Sequence, residues 1–275
     1  MFDQELVDRL TEISRRLRRQ VLKMVYEAPG GGHIGGAFSV VDILATLYFS
    51  ILQHRPWQPD WSGRDRLIFS KGHCSLALYS ALCESGYFES SLLETYCRDG
   101  GTLDVHPRVG SVPGIEWSTG SLGHGLSAGN GIALANRMDG RLNRVFVVMS
   151  DGELNEGSVW ESFMFAAQHK LENLVAVVDF NKLISLDQTE AVLSIEPLHS
   201  RLESFGWGVR RIDGHDFQQL LTALNDLPAK PGKPTAVIAD TVKGKGVSFM
   251  EGKFFWHVRE LKDEEYEQAL RELGD

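Results

Sequence analysis

Short apolar segments that alternate with helical segments are the feature that most constrains how this sequence folds. Four runs have the length and composition of buried strands: Val145–Met149, Leu174–Val178, Val209–Ile212 and Ala236–Ala239. An earlier run of the same kind is Leu67–Phe69. The segments between the last four runs predict helices over about Leu154–His169, Pro197–Phe205 and Phe217–Leu227. Strands and helices in this alternation indicate βαβ units around a buried parallel sheet. We therefore expect a three-layer α/β fold, a doubly wound parallel sheet with helices on both faces, in one domain over residues 1–275.

The first part of the chain predicts two helices. Apolar residues recur at intervals of three and four between Leu6 and Val25, which is typical of an amphipathic helix. Its arginines are interpreted as a solvated basic face: Arg15, Arg16, Arg18 and Arg19. After a glycine-rich turn at residues 29–36, Ser39 with Asp42 in a capping box predicts a second helix from Ser39 to about Leu52.

Composition narrows the class of partner and the compartment. The chain has 28 Lys and Arg against 37 Asp and Glu, a net charge of −9, and no basic block, which argues against nucleic acid or an anionic membrane as a partner. Three cysteines without a paired spacing suit a reducing cytoplasm. The N-terminus is charged throughout, unlike a signal peptide, and we expect no apolar run that approaches the roughly 18 residues of a membrane span. These features predict a cytoplasmic protein.

Polar residues follow two of the predicted strands at the point where each ends. Asp151 and Gly152 come after the run at 145–149, and Asn181 comes after the run at 174–178. The carboxyl ends of adjacent parallel strands meet at one sheet edge, where ligands bind. Carboxylate and amide oxygens suit Mg²⁺, and Gly152 would let a phosphate approach the backbone. The alternative is a pair of ordinary turns.

A second glycine cluster and a set of histidines extend this prediction. In the cluster at residues 119–127, Gly120 precedes a helix and could offer its N–H group to an anion, whereas simple helix packing explains the glycines after it. Four histidines lie at glycine turns or segment edges: His33, His73, His106 and His257. A single histidine is commonly structural, but four in such contexts indicate a pocket that handles protons and anions. The sequence contains no P-loop motif.

Taken together, the motifs resemble the N-terminal, thiamine diphosphate-binding half of transketolases. The matching segments occur in family order: GGHIGGAFS (31–39), RDRLIFSKGHCSLALY (64–79), STGSLGHGLS (118–127), SDGELNEGSVWE (150–161), DFNKL (179–183) and TVKGKGVSF (241–249). Two departures are Ser150, where the family's metal motif has glycine, and Val258 after His257, where glycine is usual.

The resemblance implies thiamine diphosphate and Mg²⁺ or Ca²⁺ as cofactors. The implied metal ligands are Asp151, Asn181 and the main-chain carbonyl of Leu183. The residues implied to contact or balance the diphosphate are Gly152, His73, Lys243 and His257, with Lys71 attracting phosphates nearby. Gly120 and Leu122 would lie against the cofactor. His33 and His106 would bind the donor's hydroxyls and assist proton transfer, and with His73 and His257 they form the implied catalytic set. Glu156 and Glu161 resemble carboxylates that link paired active sites near the cofactor.

The resemblance also implies a partner. The family's second α/β domain carries a glutamate that protonates the aminopyrimidine of the cofactor, and only one such domain is predicted here. We therefore expect the N-terminal subunit of a split transketolase, which pairs with a separate C-terminal subunit in an α2β2 heterotetramer. Together they would transfer a two-carbon ketol group from a ketose phosphate to an aldose phosphate. The alternatives are an α-type subunit of a 2-oxo acid dehydrogenase and a non-catalytic cofactor-binding module. The histidines at 33, 73 and 106 favour transketolase.

Overall fold

Five parallel strands form one sheet in the computed structural model, which describes residues 2–274. The strands are β1 (Arg66–Phe69), β2 (Val145–Ser150), β3 (Leu174–Phe180), β4 (Gly208–Asp213) and β5 (Thr235–Asp240). Their order across the sheet is β1-β2-β3-β5-β4, and every neighbouring pair is parallel. Each predicted strand lies within one of these five, so the predicted sheet is confirmed. The expectation that every strand is buried is wrong for β4, which lies at the sheet edge and has an exposed Arg211.

The helices complete the alternation of elements along the chain. The α-helices are α1 (Gln4–Glu27), α2 (Ile34–Thr46), α3 (Ser75–Glu84), α4 (Gly125–Met138), α5 (Gly157–Gln168), α6 (Thr189–Val192), α7 (Leu198–Ser204), α8 (Phe217–Asn225) and α9 (Asp263–Glu272). A π-helical turn at Leu47–Ile51 extends α2. Shorter 3₁₀ turns occupy Gly72–Cys74, Ser90–Thr95, Gly152–Asn155 and Phe254–Trp256.

The sheet is buried on both faces by separate helical layers. Phe146 and Val148 of β2 belong to a core shared with α1, α2, α3 and α8. Val145 and Val147 of the same strand belong to a second core shared with α4, α5 and α7. Alternate residues of β2 thus enter opposite cores, which explains why this strand is apolar at nearly every position rather than at every second one. The three-layer fold is confirmed.

The second helix is the central helix of the first core. The segment Ile34–Ile51, with 18 residues and a mean hydropathy of 1.7, has the length and composition of a membrane span. The prediction that no apolar run approaches that length is therefore wrong. The segment is 89% buried inside the fold, packed between α1 and α3, so its apolar character is explained by the core.

The predicted start of this helix at Ser39 is also wrong, because α2 begins at Ile34. The Ser39 hydroxyl does not cap a helix. It donates to the Asp179 carboxylate at 2.6 Å and lies 3.1 Å from the Gly36 carbonyl oxygen. Asp42 contacts α1 instead of completing a capping box. The side chains of Ser39 and Asp42, which the capping-box motif predicted to cap the start of a helix, therefore bind other elements of the fold instead.

Arg18 corrects the interpretation of the basic face of α1. Its guanidinium is buried and donates to both carboxylate oxygens of Asp42, at 2.9 Å and 2.8 Å. The other three arginines are partly exposed, and Arg16 pairs with Glu84 at 2.7 Å. A bidentate pair satisfies the geometry of both groups, which allows two charges to be buried together. Three of the four arginines are therefore partly exposed as predicted, whereas the fourth, Arg18, forms a buried ion pair with α2.

Candidate functional site

A cavity of about 320 Å³ lies at the carboxyl edge of the sheet. Ser150 of β2 pairs in register with Asp179 of β3, so the segments that leave these strands start side by side. The cavity collects most of the residues predicted for the site: His73, Gly120, Leu122, Asp151, Gly152, Asn181, Leu183, Lys243 and His257. The structure thus brings together residues that are widely separated in the sequence.

Asp151 supplies a buried carboxylate to this cavity. Its Oδ1 accepts from the Gly152 N–H at 2.8 Å, and its Oδ2 accepts from the Lys182 N–H at 2.6 Å. Burial, with the nearby Asp179 carboxylate, raises the pKa of Asp151 to about 6. A cation beside the carboxylate would reverse this shift, since it favours the charged form.

Two further oxygens complete a donor set suited to a divalent cation. Asn181 is buried after the end of β3, and its side-chain oxygen accepts from the Leu183 N–H at 3.1 Å. The Leu183 carbonyl lines the same cavity and accepts from the Lys243 ammonium at 3.0 Å. A carboxylate, an amide oxygen and a main-chain carbonyl are ligands that Mg²⁺ and Ca²⁺ use. These residues therefore fit the implied metal by their chemistry.

Lys243 places a positive charge inside the cavity wall. The residue is only 2% exposed, and its Nζ also lies 3.0 Å from Nδ1 of His257. Burial lowers the pKa of Lys243 to about 8, and Lys71 adds to the effect. Among residues 2–274, the contacts of this buried ammonium are two carbonyls and an imidazole, and none is a carboxylate. An anionic ligand would supply a negatively charged partner.

Lys71, in contrast, is already neutralised. It is fully buried, forms an ion pair with the Asp179 carboxylate and donates to the Gly36 carbonyl at 3.0 Å. Although Lys71 lines the cavity, its charge is balanced from within the protein. These contacts give Lys71 the role of holding α2 to β3, and the expectation that it attracts phosphates stays a prediction.

The four predicted histidines form one cluster at the cavity. The ring centre of His33 lies 5.4 Å from that of His73, 5.2 Å from that of His257 and 6.5 Å from that of His106. The rings of His73 and His257 are 5.4 Å apart. His73 and His257 line the cavity, and His33 and His106 extend the cluster beyond it.

Burial keeps three of these histidines neutral. It lowers the pKa of His33 to about 4 and that of His257 to about 3, and it places the pKa of His73 well below its usual value, with neighbouring positive groups adding to each shift. The Nδ1 atom of His33 is buried and has no hydrogen-bond partner within residues 2–274. Buried polar atoms are normally paired, so an unpaired one at a cavity points to a ligand group.

Two glycines are required where they stand. Gly120 has a φ of +154°, and a Cβ there would lie 3.0 Å from the ring of His106. A Cβ at Gly152 would lie 2.7 Å from Cγ2 of Ile184. Both sites are thus too narrow for a side chain, which keeps the backbone open to the cavity.

Glu156 and Glu161 lie apart from this cavity. Glu156 is exposed and precedes the first residue of α5, whereas Asn155 is the neighbour that lines the cavity. Glu161 lies in a separate groove between α4 and α5. The helix predicted from Leu154 begins later, at Gly157, because residues 152–155 form a 3₁₀ turn. The cofactor and interface roles of the two glutamates stay predictions.

Two buried carboxylates escaped the sequence reasoning. Asp179 accepts hydrogen bonds from Lys71, Ser39 and Thr241 beneath the cavity. Glu153 accepts from the Ser70 hydroxyl and from the N–H groups of Gly123 at 3.1 Å and Ser150 at 3.3 Å.

Burial raises the pKa of Glu153. The available signal is a carboxylate close to the end of an apolar strand: Asp179 lies one residue before the end of β3, and Glu153 lies three residues after the end of β2.

Comparisons with known proteins agree with this geometry. Residues 11–275 match the family described as transketolase, thiamine diphosphate binding domain. A 6-deoxy-6-sulfo-D-fructose transketolase subunit from a Clostridium species is 42% identical over 89% of this chain and 89% of its own length. An apulose-4-phosphate transketolase subunit from Phocaeicola vulgatus is 40% identical over 98% of this chain and 95% of its own length. The chain belongs to the transketolase family.

Longer transketolases contain the same fold as one part. The Campylobacter jejuni enzyme superimposes on all of this chain with a TM-score of 0.90 and 32% identity, and the match covers 43% of that protein. Human transketolase is 35% identical over 98% of this chain and 43% of its own length. The chain therefore corresponds to the thiamine diphosphate-binding part of these enzymes, and the predicted resemblance to the N-terminal subunit of a split transketolase is confirmed.

Proposed function

We propose that this chain binds thiamine diphosphate and Mg²⁺ or Ca²⁺ and, with a separate C-terminal subunit, transfers a two-carbon ketol group from a ketose to an aldose. The observation that carries the proposal is the cavity at the sheet edge, where an oxygen donor set, a buried ammonium and neutral histidines converge. The two bacterial relatives are matched over most of their length, and both are named as transketolase subunits, which supports a two-subunit enzyme.

The metal and the diphosphate would share the inner end of the cavity. Asp151, Asn181 and the Leu183 carbonyl would hold the cation. The residues that would face the diphosphate are Gly152, His73, Lys243 and His257. Gly120 and Leu122 would pack against the cofactor. A phosphate oxygen would give the Lys243 ammonium the anionic partner that residues 2–274 do not supply.

The outer histidines would handle the sugar hydroxyls. When bound, thiamine diphosphate supplies the carbanion chemistry that breaks and forms the carbon–carbon bond. The unpaired Nδ1 of His33 would accept a hydrogen bond from a donor hydroxyl, or donate one, according to its tautomer. Because its pKa is low, His33 is neutral near pH 7, so one ring nitrogen keeps a lone pair for the hydroxyl proton, and the ring would assist proton transfer from this position. His106, 6.5 Å away between ring centres, would contact the adjoining hydroxyl.

The substrate class follows from the family and from the chemistry of the cavity. The proposed substrates are a ketose phosphate donor and an aldose phosphate acceptor, with no role for nucleic acid or a membrane. We propose a single domain over residues 1–275, an α2β2 assembly and a cytoplasmic location, which the three free cysteines support.

Reconstitution tests the reaction type. The purified chain is mixed with a C-terminal transketolase subunit, thiamine diphosphate and Mg²⁺, and is offered a panel of ketose phosphates with an aldose phosphate acceptor. We expect ketol transfer from the mixture and none from the chain alone. Ketol transfer by the chain alone would contradict the two-subunit proposal. Decarboxylation of 2-oxo acids without ketol transfer would instead favour a dehydrogenase α subunit.

A further inference from the structure

A buried line of hydrogen bonds runs from α1 to the strand end beside the cavity. Arg18 of α1 holds both oxygens of Asp42 of α2, and Oδ2 of Asp42 lies 2.7 Å from Nδ1 of His215. On the other side of the same ring, Nε2 of His215 accepts from the Val242 N–H at 2.9 Å. The side chains of Arg18, Asp42 and His215 are only 9%, 6% and 12% exposed.

These contacts fix the protonation of His215. A backbone N–H can only donate, so Nε2 must be unprotonated to accept from Val242. The ring proton therefore lies on Nδ1 and is donated to Asp42. Burial alone would raise the pKa of Asp42, but Arg18 and His215 outweigh burial and hold its pKa below the usual range. Asp42 is thus a charged acceptor that orients the imidazole, and the imidazole in turn presents a lone pair to the backbone.

The turn that carries His215 is built to approach this segment. A Cβ at Gly214 would lie 2.5 Å from Cγ2 of Thr241, and the Gly214 N–H donates to the Asp240 carbonyl at 2.8 Å. The Asp213 side chain accepts from the His215 N–H at 2.8 Å. Glycine at 214 therefore lets the β4–α8 turn lie directly against the end of β5, with His215 pointing at Val242.

The held segment leads directly to the buried ammonium of the cavity. Val242 is flanked by Thr241, whose hydroxyl donates to Asp179, and by Lys243, which reaches the Leu183 carbonyl and His257. We propose that His215 is a positioning residue, which fixes the backbone at Val242 so that the Lys243 ammonium faces the anionic end of the bound cofactor. The identity of the ligand rests on the proposed function, but the hydrogen bond by which His215 fixes the backbone at Val242 does not depend on that function.

Two substitutions by amide side chains each keep one of the two hydrogen bonds that the His215 ring makes and remove the other. In His215→Gln, the side-chain amide reaches the place of Nε2 and can accept from Val242, whereas the bond to Asp42 is lost. In His215→Asn, the amide occupies the place of Nδ1 and can donate to Asp42, whereas the Val242 N–H loses its acceptor. Both variants lose one hydrogen bond, so a merely structural histidine would make them equivalent.

Backbone exchange and cofactor affinity provide the readouts. We expect amide hydrogen exchange at Val242 and Lys243, measured without cofactor, to be faster by about tenfold in His215→Asn, because an unsatisfied buried N–H favours local opening. We expect His215→Gln to stay within about threefold of the wild type. The dissociation constant for thiamine diphosphate with Mg²⁺, measured on the chain with its partner subunit, should rise about tenfold in His215→Asn and much less in His215→Gln.

His54 provides the control. It is a half-buried histidine with two hydrogen-bonding neighbours, the Tyr48 carbonyl at 2.7 Å and the Tyr87 hydroxyl at 3.2 Å, and it does not line the cavity. His54→Asn should lower the melting temperature without changing exchange at Val242. Equal exchange at Val242 in His215→Asn and His215→Gln would overturn the inference. Failure of the wild-type complex to bind thiamine diphosphate would refute the proposed function, while the exchange data would still decide the role of His215.

Discussion

Asp151→Asn tests the metal site through stability as well as through binding. Burial raises the pKa of Asp151 to about 6 from an ordinary value of 3.8. Because this pKa is about 2 above the ordinary value, the ionised carboxylate lowers the free energy of unfolding of the cofactor-free protein by about 3 kcal/mol at neutral pH. The proposal explains why the chain retains such a group, since a bound divalent cation would stabilise the ionised form.

The raised pKa fixes the sign of the pH dependence. Between pH 6 and 3.8 the folded protein binds more protons at Asp151 than the unfolded chain does, so this group makes the cofactor-free protein more stable as the pH falls. From pH 7 to pH 5, the linkage relation gives about 1.3 kcal/mol of added stability, or about 3 °C in melting temperature. His33 and His257 change the stability in the opposite direction. Their pKa values are lowered in the fold, so their contribution to stability is lost as the pH falls through their unfolded pKa near 6.5. The difference between the wild type and Asp151→Asn removes that background.

The assay is thermal unfolding at pH 7 and pH 5, first with a chelator and then with Mg²⁺ and thiamine diphosphate. Relative to Asp151→Asn, the cofactor-free wild type should gain about 1.3 kcal/mol on acidification. At pH 7, ligand at 100 times its dissociation constant should stabilise the wild type by about 2.7 kcal/mol and should leave Asp151→Asn almost unchanged. Asp187→Asn, an exposed position in the neighbouring loop, is the matched control and should behave like the wild type. Equal stabilisation of Asp151→Asn by Mg²⁺ and thiamine diphosphate would refute the assignment of Asp151 as a metal ligand.

Three further predictions concern single substitutions, two of them with a matched control. Lys243→Met removes a buried ammonium whose pKa is lowered to about 8, so calorimetry should show weaker thiamine diphosphate binding while urea unfolding shows a cofactor-free fold at least as stable as the wild type. Arg18→Met removes the cationic partner of a buried carboxylate, which keeps only its hydrogen bond from His215, and should cost about 3–5 kcal/mol in urea unfolding, whereas Arg16→Met, at a half-exposed pair, should cost less than about 1 kcal/mol. Gly129→Ala places a Cβ 2.5 Å from a side chain of the sheet and should lower stability by about 1–3 kcal/mol, whereas Gly131→Ala, with open space around it, should raise helix stability by up to about 1 kcal/mol. A lower melting temperature for Gly131→Ala than for Gly129→Ala would contradict the packing of α4.

The centre of the sheet could be predicted from the sequence because β2 and β3 are covered on both faces. Runs such as Val145–Met149 are apolar at every position, and this pattern is local. The meeting of Asp151 and Asn181 followed from the rule that adjacent parallel strands end at one edge, and the register of β2 with β3 agrees with it.

Partners distant in the sequence could not be predicted in the same way. The periodicity of α1 marks Arg18 as polar but says nothing of Asp42 on the next helix, which neutralises it. Lys71 likewise pairs with Asp179, far along the chain, and the Ser39 hydroxyl is used by the same carboxylate rather than by a helix end. The local sequence identified these residues as polar, and the folded contacts decided which were available to a ligand.

A crystal structure of the chain with its partner subunit, thiamine diphosphate and Ca²⁺ tests the central proposal most directly. The account predicts one Ca²⁺ ion, located by anomalous scattering, at about 2.3–2.6 Å from oxygens of Asp151, Asn181 and the Leu183 carbonyl, with the diphosphate beside Lys243. A Ca²⁺ ion or a diphosphate bound elsewhere, with these three oxygens uncoordinated, would contradict it.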